Sequence, residues 1–124
     1  MPPETRDAAY LWDMLEAARS VRDFVKDTTA EEFLEDRMIQ AAVEREVEII
    51  GEAARRISDA FKEAHPEVPW RNIVGMRNLL AHEYGAIIQS RMWTLAAEHI
   101  PALIAQLEPL IPPLPPEEPD EPSK

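Results

Sequence analysis

Residues 31–64 read EEFLEDRMIQAAVEREVEIIGEAARRISDAFKEA, and their periodicity decides the fold class. Ile39, Val43, Val47, Ile50, Ala54, Ile57 and Phe61 recur at steps of three and four, which draws one apolar seam along a helix. Such a seam must be buried against other helices. Glu44, Arg45, Glu46 and Glu48 fall off it and read as a solvated face with local ion pairs, Arg45 and Glu48 being the two that could border a cleft. Gly51 costs about 1 kcal/mol in a helix interior, and close approach of another helix would explain it. Residues 33–36 read either as the first turn of this helix or as a short turn of their own.

Upstream, Leu11, Leu15, Ala18, Val21 and Val25 form a second stripe, predicting a helix over about residues 7–26. Thr28 and Thr29, each followed three residues later by a glutamate, offer capping boxes between the two. Downstream, His65-Pro66 ends the long helix, because the residue before proline avoids the α region. Pro69 suits the first turn of a third helix over 70–84, stopped by Gly85. A fourth helix spans about 90–110, kinked at Pro101. The chain is therefore expected to be all-α, an antiparallel bundle of four to five helices. Its long seams favour a homodimer. Residues 1–111 form the domain, and residues 112–124, rich in proline and acid, are expected to be an extended or disordered tail.

At 124 residues the chain suits one domain. It has no cysteine, no apolar run long enough to span a bilayer and no signal-like N-terminus, so a cytoplasmic location and no membrane contact are expected. The net charge of −11 argues against a generic nucleic-acid binder. Yet residues 70–95 hold Arg71, Arg77 and Arg91 against Glu83 alone, a local balance of +2 within a remainder of −13. The local field decides whether a phosphate can approach.

That same stretch carries the reactive side chains: Trp70-Arg71-Asn72-Ile73-Val74-Gly75-Met76-Arg77-Asn78-Leu79-Leu80-Ala81-His82-Glu83-Tyr84. Arg77 and Tyr84 fall within roughly 20° of each other on an ideal helix, and Asn78 and His82 also share a face. Arg77 and His82 are about 140° apart, so they converge only if the helix end is distorted or a second subunit completes the site. His82 can exchange protons near neutral pH, and Arg77 offers a permanently charged fork for phosphate. Metal-independent RNA cleavage needs that pair of functions. Glu83 favours a protonated His82 but opposes an incoming phosphate. No histidines are spaced as metal ligands, so no metal is expected.

The stretch Arg77-Asn78-Leu79-Leu80-Ala81-His82-Glu83-Tyr84 resembles the R-x4-H-x-Y pattern of HEPN-domain toxins of the HepT type. Asp13-Met14-Leu15-Glu16-Ala17, Val47-Glu48-Ile49-Ile50-Gly51-Glu52-Ala53-Ala54 and the segment from Pro69 to Asn78 are similar to that family as well. The likeness covers about residues 6–110. It implies a HEPN-like dimer and a metal-independent endoribonuclease, the toxin of a prokaryotic toxin–antitoxin pair. By the same resemblance Arg77 and His82 are catalytic and Asn78 supports them. Tyr84 matches the tyrosine to which a separate nucleotidyltransferase antitoxin adds AMP. ATP is then the antitoxin's substrate, and the toxin itself needs no cofactor. The RNA substrate, transfer or messenger RNA, stays open. The acidity favours an alternative, a non-catalytic HEPN dimer that binds nucleotide, RNA or a nucleotidyltransferase partner. A purely structural dimer would leave Arg77, His82 and Tyr84 unexplained.

Of the remaining residues, His99 is expected to be packed or interfacial and His65 to sit at a helix end. Trp70 is expected to anchor the third helix, and Trp12 and Trp93 to fill the core or an interface.

Overall fold

A helix can start where a side chain satisfies the free backbone N–H groups of its first turn, and Thr29, Asp36 and Ser58 do this for the three helix starts between residues 29 and 59. The computed structural model describes residues 3–82 and 86–112. For residues 3–5, Arg77, Leu79, Ala81, His82, Ala86 and Ile87 the description covers the backbone alone. Helix α1 spans Pro3–Val25, α2 Ala30–Glu35, α3 Arg37–Arg56, α4 Asp59–Ala64, α5 Trp70–His82, α6 Ala86–Thr94 and α7 Ile100–Leu107. A π turn, Leu95–His99, joins α6 to α7, and a 3-10 turn, Glu108–Leu110, follows. No strand occurs among the described residues, and no helix there is long and apolar enough to cross a membrane.

The long helix expected over residues 31–64 is divided into α2, α3 and α4. Thr29 and Glu32 form the capping box that opens α2. Asp36 then takes extended backbone, and its carboxylate accepts from the N–H groups of Met38 and Ile39 at 3.0 and 3.1 Å. Ile57 and Ser58 are extended too, and Ser58 caps α4 by accepting from Phe61 N–H at 3.2 Å. A buried aspartate selects this second break: Asp7 of α1 accepts from Ser58 N–H at 2.9 Å and from Ser58 Oγ–H at 2.6 Å. Asp7 lies near the start of α1 and Ser58 just past the end of α3, so those two helices run antiparallel.

The expected stripes nonetheless form the core. Leu11, Leu15, Ala18, Val21 and Val25 of α1 are buried with Val43, Val47, Ile50 and Ala54 of α3. Gly51 is buried with them. Ile88, Met92, Ala96, Ile100 and Leu107 close the bundle from the last helical segment. That segment begins at Ala86, earlier than expected, and Gln89 ties it to α3 by donating to Glu44 at 2.8 Å. Glu44 is thus a half-buried tie rather than part of a solvated face.

The distortion expected at Pro101 takes the form of the π turn. Proline has no N–H to give the fourth carbonyl upstream, and its ring crowds that carbonyl. The chain widens there, and Ile100 N–H bonds back to Leu95.

Candidate functional site

Helix α5 carries the candidate site, and its N-terminal corner is firmly held. Trp70 is buried, and its indole N–H donates to the His65 carbonyl at 3.0 Å. Its ring meets Phe61 edge-on at 6.1 Å, while Phe61 lies 4.4 Å from the His65 imidazole. Gln106, beyond the π turn, donates to the Glu67 carbonyl at 3.0 Å. Asp7, Ser58, Phe61, His65 and Trp70 thus form a continuous line of contacts from α1 to the first turn of α5. His65 caps the end of α4, as its position before Pro66 requires.

Downstream of this corner, Ile73, Val74, Met76 and Leu80 are half-buried against the core. Asn78 is exposed. Arg77 and His82 are both on α5, and their side chains lie outside the described residues. Glu83, Tyr84 and the expected stop at Gly85 lie outside them altogether.

Two grooves flank α5. An apolar one of about 490 Å³ runs between α3, α5 and the π turn, lined by Val47, Ile50, Ile73, Met76, Leu95 and Leu103 among others. His99 stands on its rim and is exposed, so within one protomer it is not packed in the core. The other groove, about 810 Å³, follows α5 from the α4–α5 corner past Arg71, Asn72 and Gly75 to Asn78. Sequence reading overlooked it, because Lys62, its remaining cation, comes from a different helix.

A third groove, about 390 Å³, lies between α1 and α3 and contains no residue of α5. Arg45 and Glu48 line it and pair at 3.8 Å on an exposed face, as the expected local ion pair, and neither borders a groove of α5. Burial pushes the Asp13 carboxyl at its edge above the ordinary value, and neighbouring Glu16 adds to the effect. Hydrogen bonds that Arg56 donates to Tyr10 and Glu52 hold its guanidinium firmly charged. Trp12 is half-buried under the Arg19 guanidinium at 5.9 Å, and Trp93 packs on Phe33 at 5.5 Å. Among the described residues no three His, Asp or Glu side chains are placed to hold a metal ion.

The Ribonuclease HepT-like family model matches residues 14–110. The chain belongs to the HepT-like ribonuclease family. "Putative RNase MJ1380" of Methanocaldococcus jannaschii is 43% identical over 100 residues, covering 81% of this chain and 92% of that protein. "Probable ribonuclease HepT" of Thermococcus cleftensis is 41% identical over 101 residues, covering 82% and 92% respectively. No solved structure matches the chain. The HepT-like match includes all of α5, so the HEPN-type bundle and the R-x4-H pattern occur in one aligned region.

Proposed function

We propose that the protein is a HepT-type toxin, a metal-independent endoribonuclease that works as a homodimer. The observation that carries this reading is the unbroken Arg77-x4-His82-x-Tyr84 pattern on and just beyond α5 in a chain of the HepT-like ribonuclease family. Arg77 and His82 are the catalytic pair and Asn78 supports them. The RNA 2′-oxygen attacks phosphorus and the bond to the 5′-oxygen breaks, leaving a 2′,3′-cyclic phosphate and a 5′-hydroxyl. His82 of one copy accepts the 2′ proton and His82 of the other protonates the departing oxygen. Arg77 balances the charge that builds on the phosphorane.

Helix phase supports the dimer. Arg77 and His82 point about 140° apart on one α5, so two copies facing each other assemble what one cannot. The apolar groove beside α5 offers surface for that contact. A nucleotidyltransferase antitoxin joins AMP from ATP to the Tyr84 hydroxyl, releasing pyrophosphate. The added bulk and negative charge then occupy the stripe that Tyr84 shares with Arg77. The toxin needs no cofactor of its own, and it acts on transfer or messenger RNA in the cytoplasm.

The test is RNA cleavage in EDTA by wild type and by His82→Ala, after intact mass has shown that Tyr84 is unmodified. Wild type should cleave, and His82→Ala should lose at least about 100-fold, the low end of general acid–base contributions. No cleavage of any RNA class by unmodified dimer would replace this reading with the non-catalytic binding module that the acidity favours.

A further inference from the structure

Gly75 sits exposed in the middle of α5, and a Cβ built there meets nothing within 4 Å. Glycine is the least favourable helix-interior residue short of proline. Nothing within the protomer requires it at this position. Glycine admits close approach of a ligand or of another backbone, so the open space points outward.

The groove that Gly75 floors carries two cations beside the apolar Pro66, Val68, Pro69, Trp70 and Val74. Lys62, Arg71, Asn72 and Asn78 supply its polar groups, and among the described residues no carboxylate lines it. Among the described residues neither Lys62 nor Arg71 forms an ion pair. In a chain with 24 acidic residues, a groove with two unshared cations and no acid selects an anion. Its polar groups are strung out. Arg71 and Asn78 lie about 10 Å apart along the axis and roughly 20° apart around it. Positions 71, 75, 78 and 82 form one helical stripe, at steps of four, three and four. A row of donors suits successive phosphates better than one small anion, and this row leads to the register position of His82.

We propose that this groove is the path of the RNA strand's phosphate backbone into the site. Lys62 and Arg71 bind phosphates upstream of the reacting one, and Gly75 leaves room for the strand to lie against the helix. The assignment rests on the ribonuclease reading of α5 and adds to it the direction from which substrate enters.

The experiment uses the full chain and a fluorescein-labelled single-stranded RNA. Anisotropy is read over a salt series on a His82→Ala background, with and without Lys62→Ala and Arg71→Ala together. Cleavage kinetics are read on the active background. Removing two phosphate contacts should raise KM about tenfold with a much smaller change in kcat. It should also flatten the dependence of log K on log salt by about 1.4, at roughly 0.7 per phosphate of a single strand. Arg71 is exposed and Lys62 half-buried, and circular dichroism checks that the fold is kept. Unchanged KM and salt slope in a protein that still cleaves would overturn the groove and leave the ribonuclease reading intact. Groove-dependent binding without cleavage by wild type would keep the groove and overturn the ribonuclease. A shift from dimer to monomer in the double variant would also overturn the groove, making this face a contact between copies.

Discussion

Asp7→Ala should be among the most destabilising single substitutions outside the apolar core. Its carboxylate is 8% exposed and takes two hydrogen bonds from Ser58, at 2.9 Å to the backbone N–H and 2.6 Å to the hydroxyl. Hydrogen bonds to a charged group contribute about 1.5–3 kcal/mol each, and two sharing one partner are less than additive. We expect a loss of about 3 kcal/mol. At about 2 cal/mol/K per residue of unfolding entropy, that lowers Tm by about 12 °C. Asp7→Asn keeps an acceptor for the N–H but sets an amide donor against a hydroxyl that must donate, so its loss should be about half as large. Chemical denaturation of Asp7→Ala, Ser58→Ala and the double variant forms a cycle. Its coupling energy should be about 1.5 kcal/mol, because both single changes remove the hydroxyl–carboxylate bond while Ser58→Ala keeps the backbone one. The substitutions should also loosen α4 and the corner before α5, seen as faster amide exchange at Phe61 and Trp70. A coupling energy near zero would refute the claim that Asp7 selects the break between α3 and α4.

Two further outcomes follow from the structure. Gly75→Ala should raise Tm by about 4 °C, because Ala gains about 1 kcal/mol in a helix interior and the new Cβ touches nothing; RNA affinity should fall in the same variant, and a thermal melt beside an anisotropy titration checks both. The Asp13 carboxyl titrates above its ordinary value of 3.8, so the folded state holds its proton more tightly than the unfolded state and the associated stability is lost as pH rises through the raised value. Asp13→Asn should therefore melt above wild type at pH 7, with the gap closing once the pH falls below about 3.8.

Much of this fold is legible in the sequence, because the apolar stripes are local and the core is made of them. Every stripe residue named in α1 is buried, as are Val43, Val47, Ile50, Ala54 and Ile57. The seam keeps its phase through the break at Ile57–Ser58, which is why periodicity alone runs straight across it. Two local signals mark the breaks, the first allowed for at residues 33–36 and the second missed: Asp36 and Ser58 are both residue types that cap helices. Only Asp36 could have been read with assurance, since its bonds are to its own neighbours. Ser58 caps because Asp7, 51 residues away in sequence, holds it. Pro101 announces a distortion but not its kind, as whether the helix bends or widens depends on packing. In the candidate site, the shared face of Asn78 and His82 is legible in the sequence, whereas Lys62 joins the groove only through the α4–α5 turn.

The acidity of this ribonuclease-family chain acquires a use once the charges are placed. Outside residues 70–95 the chain carries −13, and within them +2. At physiological ionic strength the Debye length is about 8 Å, so carboxylates elsewhere on the bundle barely weaken attraction inside the α5 groove. They do repel a polyanion that lands on any other face. A basic surface would hold RNA in many orientations, most of them far from His82. An acidic body with one cationic strip leaves a single favourable approach, along the helix that carries Arg77 and His82. On the proposed reading, the field along α5 and not the net charge decides where RNA binds.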